Sequence, residues 1–96
     1  MFVVQCTFKT KPGKANVLID VFTAAAPHFA ADGVQGHRVL VDHVADYWTV
    51  ILESTVEDLD TYFAFTENEA AREAMAGYLD FVVSGSRRIY RIAYEG

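Results

Sequence analysis

Apolar residues alternate at the start of the chain. Phe2, Val4, Cys6 and Phe8 share one parity and Val3, Gln5, Thr7 and Lys9 the other, so residues 2–9 predict a strand with one apolar face. Lys11-Pro12-Gly13 ends it. From about Lys14 to Ala31 the period lengthens, and Leu18, Val21, Phe22, Ala25 and Phe29 form one helical stripe. Pro27 falls inside the stripe. It lacks an N–H and crowds the Thr23 carbonyl, so a kink or early stop is expected there. Gly33 suits the left-handed position just past a helix. Val34–Asp42 and Tyr47–Ser54 then predict a hairpin. With His43-Val44-Ala45-Asp46 as its loop, Val41 faces Trp48, Val39 faces Val50 and His37 faces Leu52, which puts these six side chains on one face.

Ser54-Thr55-Val56-Glu57 and Thr66-Glu67-Asn68-Glu69 both have the capping-box pattern, predicting a short helix over about 56–65 and a longer one over about 68–84. The stripe of the longer helix is Ala71, Ala74, Met75, Tyr78, Leu79 and Val82, with Ser84-Gly85-Ser86 as its stop. Arg87 to Tyr94 alternates as a last strand. The order is βαββαβ, the ferredoxin-like split βαβ arrangement: an α+β fold with helices on one face of a four-stranded antiparallel sheet.

Composition narrows the class. Ninety-six residues make one domain, 1–96, and 52% hydrophobic residues supply a core. One cysteine excludes an internal disulfide framework. Net charge is −5, without the basic excess of a nucleic-acid binder. No apolar stretch approaches the ~20 residues of a membrane helix. No secretory leader is read after Met1, so a cytoplasmic protein is expected, with neither nucleic acid nor membrane as partner.

Helices cover one side of such a sheet. The other side is expected to hold Val3, Gln5, Thr7, Leu40, Tyr47, Thr49, Ile51 and Ile89, with Arg38, Asp42, Glu53, Arg87 and Arg91. That mixture is too apolar for a fully wet face. A second copy of the chain is its simplest cover, giving a sheet-to-sheet homodimer that forms a barrel.

The element order, the segment Thr7-Phe8-Lys9-Thr10-Lys11-Pro12-Gly13-Lys14 and the closing Ser84-Gly85-Ser86-Arg87-Arg88-Ile89-Tyr90-Arg91-Ile92 together resemble the dimeric α/β-barrel superfamily. Its small members include antibiotic-biosynthesis monooxygenases and NIPSNAP-like proteins. The resemblance spans nearly the whole chain and implies a homodimer with a pocket in each subunit between sheet and helices. The haem-degrading branch implies an axial histidine on the second-helix region, and Glu69–Tyr78 contains none. Neither Gln5 nor Cys6 matches the pocket asparagine that the resemblance implies on the first strand.

Candidate chemistry is sparse. His37 lies on the apolar face of the hairpin and is the one candidate catalytic base. His28 and His43 read as rim and loop residues. No histidine pair has metal-ligand spacing, so neither metal nor cofactor is expected. Cys6 reads as a small core hydrophobe. Trp48, Tyr62, Tyr78 and Tyr90 are the candidate substrate-binding residues, suited with Phe63 and Phe65 to a flat aromatic pocket. Arg87, Arg88 and Arg91 alternate faces and read as salt-bridging or solvated before anion-binding.

Two functions compete. One is a cofactor-independent monooxygenase-like enzyme acting on a small aromatic molecule. The other is a non-catalytic small-molecule-binding, structural or stress-associated homodimer.

Overall fold

The computed structural model describes the backbone of residues 1–30, 34–43, 48–67, 69–74 and 76–96, and the side chains of these residues except 28–30, 65, 71 and 74. The elements are β1 (Phe2–Thr10), α1 (Ala15–Ala30), β2 (Gly36–Val41), β3 (Thr49–Val56), α2 (Leu59–Thr66), α3 (Glu69–Ala74), a 3₁₀ turn (Tyr78–Phe81) and β4 (Val82–Arg91). The strands form one antiparallel sheet in the order β2-β3-β1-β4. This is the expected ferredoxin-like α+β architecture. No helix among the described residues is long and apolar enough to cross a membrane.

The alternation of β1 decides the layers. Val4 is buried against Val34, Val56 and Tyr62, with Phe2 and Cys6 packed beside them. Phe8 joins a second cluster with Leu18, Phe22 and Val50. The stripe of α1 supplies the centre of this cluster: Leu18, Phe22 and Ala25 are wholly buried. Each large side chain of this kind contributes roughly 1.5–3 kcal/mol by leaving water. That anchoring explains why α1 runs unbroken through Pro27 to Ala30, against the expected kink. The proline removes one bond near the helix end, while the packed stripe lies upstream of it.

The hairpin register differs from expectation by two residues. Val41 pairs with Val50, Val39 with Leu52 and His37 with Ser54. A shift of two preserves side-chain parity, so His37, Val39 and Val41 keep the face assigned to them. The expected loop positions Val44–Asp46, Tyr47, and the Gly33 helix end lie outside the described residues.

The second half departs further. Ser54 caps nothing; it stays buried in β3. Asp58 starts α2 instead, its Oδ1 accepting from the Thr61 N–H at 2.8 Å. The expected long helix over 68–84 ends at Ala74. Gly77 takes φ 85°, a left-handed conformation that a helix cannot continue through. The chain then makes the 3₁₀ turn and enters β4 at Val82, where the β-branched pair Val82-Val83 favours a strand. The Lys11 N–H bonds the Phe81 carbonyl at 2.9 Å and ties the turn to the end of β1. Ser84-Gly85-Ser86, expected as a stop, is therefore mid-strand.

The β4 pairing also corrects its faces. Val4 pairs with Ile89, Cys6 with Arg87 and Phe2 with Arg91. Ile89, Arg87 and Arg91 thus share the helix side, and Arg88 and Tyr90 take the outer face. The outer face otherwise holds the expected Val3, Gln5, Thr7, Leu40, Thr49 and Ile51, all half-buried. At its middle, Arg38 Nε and Nη2 donate to Glu53 Oε1 at 2.9 and 2.5 Å, and Gln5 Nε2 donates to Glu53 Oε2 at 2.8 Å.

Candidate functional site

A cleft of about 450 Å³ opens on the helix side of the sheet, beneath β1, β4 and the 3₁₀ turn. It is lined by Cys6, Phe8, Tyr78, Leu79, Val82, Gly85, Ser86 and Arg87. Its size falls in the range of small-molecule sites. Antiparallel pairing builds one wall by setting Phe8 beside Gly85 and Cys6 beside Arg87. The 3₁₀ turn builds the other, because Gly77 reverses the chain and swings Tyr78 onto the Phe8 ring.

The aromatic packing is specific. Phe8 lies 5.3 Å from Phe22 and meets Tyr78 edge-on at 5.7 Å between centroids. Tyr62, from α2, is buried behind Cys6, its hydroxyl 3.8 Å from the Cys6 sulfur. The Arg87 guanidinium carbon sits 5.4 Å from the centroid of the Tyr62 ring, a cation–π contact. Burial pushes the Tyr62 phenol above its ordinary value, the neighbouring Cys6 adds to the rise, and Arg87 opposes it. The phenol therefore stays protonated at neutral pH.

The structure distributes the sequence-predicted residues unevenly. Tyr78 lines the cleft and Tyr62 stands directly behind it. Trp48 immediately precedes β3 and is exposed, its carbonyl accepting from the Thr10 N–H at 2.8 Å. Tyr90 pairs with Val3 and shares its outer face, so it does not share the cleft. His37 is half-buried on the helix side of β2, its Nδ1 3.3 Å from Ser54 Oγ. Burial pulls its pKa below the ordinary imidazole value and keeps it neutral. β2 stands two strands from β1, roughly 10 Å at the usual strand spacing, and His37 is not on the cleft wall. Phe63 and His43 are exposed, and the side chains of His28 and Phe65 lie outside the described residues.

Four cleft residues were hidden from sequence reasoning. By pattern alone Cys6 reads as core filler, Gly85 and Ser86 as a helix stop, and Arg87 as an outer-face cation. The available signal was the β-branched pair Val82-Val83 ahead of the glycine, which favours a strand; simple alternation does not run through it, because the pairing shifts register between Lys9 and Thr10 and puts Val82 on the helix side with Gly85 and Arg87. Among the described residues no group of three or more His, Cys, Asp or Glu could hold a metal ion.

The model of the antibiotic biosynthesis monooxygenase family matches residues 1–77. Among solved structures, the chain is similar to SO0527 from Shewanella oneidensis, at 18% identity and TM-score 0.81 over 93% of this chain and 87% of that one. It is similar to PA3566 from Pseudomonas aeruginosa, at 19% identity and TM-score 0.78 over 96% and 94% of the two chains. It is also similar to Rv0793 from Mycobacterium tuberculosis, at 14% identity and TM-score 0.80 over 98% and 96%. At such identities these likenesses speak for the fold alone. No curated protein matches the chain in sequence.

Proposed function

Since the chain belongs to the antibiotic biosynthesis monooxygenase family, we propose that it oxygenates a small, electron-rich aromatic substrate in the cleft beneath β1 and β4. The observation that carries the reading is the aromatic wall of that cleft, with Phe8 and Tyr78 edge to face in a space of about 450 Å³. In cofactor-independent oxygenation the substrate itself supplies the electrons. Oxygen accepts them, one of its atoms enters the product and the other leaves as water. The protein's part is to exclude water, take up a proton and hold the anion that forms.

Phe8, Tyr78, Leu79 and Val82 serve the first task. Tyr62, protonated and buried behind Cys6, fixes the back of the site. His37 is kept neutral by burial, but it stands two strands away from the cleft and beyond hydrogen-bond reach of a substrate there, so it takes no proton from it. The same reading includes a homodimer joined through the outer sheet face, where Val3, Leu40 and Ile51 are its apolar contacts. A cytoplasmic location goes with it, tested by fractionating cells that express the protein.

The test is oxygen uptake with a panel of phenols, naphthols and hydroquinones. Uptake with at least one of them is expected, and it should survive His37→Ala, because His37 lies off the cleft wall. Tyr78→Ala should raise KM more than it lowers kcat. A loss of turnover on the order of 100-fold in His37→Ala would instead show that the substrate reaches β2. Binding of these compounds without oxygen uptake makes the chain a binding protein rather than an enzyme.

A further inference from the structure

Gly85 sits in the interior of β4, where a glycine weakens a strand and marks a close approach to its backbone. It lines the cleft and pairs with Phe8. A Cβ placed on it would lie 3.3 Å from Phe8 Cδ1 and 3.5 Å from Cε1. Phe8 has little room to retreat, since its ring is held by the fully buried Phe22 and by Tyr78. The backbone there does not demand glycine, because Gly13 and Gly77 are the glycines with positive φ among the described residues. What a side chain at 85 would do is push the Phe8 ring off β4 and into the cleft.

Two residues further on, on the same face of β4, Arg87 lines the same cleft. Among the described residues no carboxylate lies within ion-pair distance of it. The cation–π contact with Tyr62, at 5.4 Å from the ring centroid, involves no carboxylate, so the guanidinium N–H fork can grip an oxyanion. The chain carries a net charge of −5, so an anion that binds needs a local cation of this kind.

We infer that Gly85 and Arg87 set the substrate class of the cleft: a flat aromatic anion, phenolate or carboxylate, lying against the Phe8 ring that Gly85 lets settle on β4, with its charged oxygen on Arg87. The inference rests on the proposed use of this cleft for an aromatic substrate and adds flatness and negative charge as its requirements. Both residues lie beyond the 1–77 segment that the family model matches.

The test uses the whole protein and two probes of like shape, 2-naphthoate and the neutral 2-naphthylmethanol, with binding measured by calorimetry and by amide shifts in β1 and β4. The naphthoate is expected to bind about tenfold or more tighter, the usual advantage of a charge-assisted hydrogen bond. Arg87→Gln should bring the two probes level, whereas Arg91→Gln, outside the cleft, should not. Gly85→Val should weaken naphthoate binding by about tenfold or more, because it displaces Phe8 into the space a ligand ring needs. Should the valine variant fail to fold, Gly85→Ala, which asks Phe8 to move only slightly, must weaken binding in the same direction. Equal affinity for the two probes, or naphthoate affinity indifferent to residue 85, overturns the inference while leaving an aromatic cleft in place. Failure of both probes to bind overturns the inference and the cleft reading together.

Discussion

His37 and Glu53 show how the sheet handles polar groups near its core. Glu53 is buried, which alone would raise its pKa, but the hydrogen bonds from Gln5 and Arg38 and the Arg38 charge hold the carboxyl below its ordinary range. His37 has the opposite chemistry, because burial disfavours its charged form and lowers its pKa. In the unfolded chain the imidazole takes a proton near pH ~6.5, before the folded one does. Folding stability therefore falls as pH drops below about 6.5 and levels off beneath the lower, folded pKa. Urea denaturation between pH 5 and 8 should show this fall in the wild type and a shallower one in His37→Gln. Equal slopes would mean the imidazole titrates alike in both states. The face of His37 was legible because only parity fixes it, and the two-residue register error left parity intact. The role of Arg87 was not, because its face depends on its pairing with Cys6, which no local pattern reveals.

At the scale of elements, β1, α1 and the hairpin could be read from period alone, since each buries one regular stripe. The region from 56 to 91 could not. There a helical stripe ending in Tyr78, Leu79 and Val82 overlaps a strand that starts at Val82, and Val82 fits both. The left-handed Gly77 decides between them, and a glycine in a sequence does not announce its φ. Pro27 is the reverse case, a strong local signal overruled by packing. Its missing N–H still leaves the Thr23 carbonyl without its helical donor. Pro27→Ala should restore that bond and stabilise the protein by about 1–3 kcal/mol, less the entropy that proline removes from the unfolded chain. A higher urea midpoint with an unchanged slope is the expected result. A lower midpoint would show that α1 has adapted to the ring.

For the whole molecule, the half-buried outer face and its Glu53–Arg38–Gln5 cluster lead to the proposed homodimer. Light scattering at micromolar concentration should give twice the 10.7 kDa chain mass. That species should persist at ~1 M salt, where surface charge pairs are screened. Ile51→Glu, placing a charge beside Leu40 on that face, should yield monomer. A wild-type species of 10.7 kDa would remove the dimer. The sheet that presents this face is centred on β1, which has a consequence for how the protein is made. Phe2 to Thr10 leave the ribosome early, yet they pair with β3 and with β4, whose residues reach to Arg91. One edge of the central strand can pair once β3 is made, but the other stays open until β4, near the end of the described sequence, has emerged. Contacts so distant along the chain make folding slow and leave the nascent strand exposed to wrong partners. The polar parity of β1, Gln5, Thr7 and Lys9, is what that waiting segment shows to water. Substitutions that make it apolar on both faces should lower the soluble yield of the protein in cells even where the finished fold would accept them.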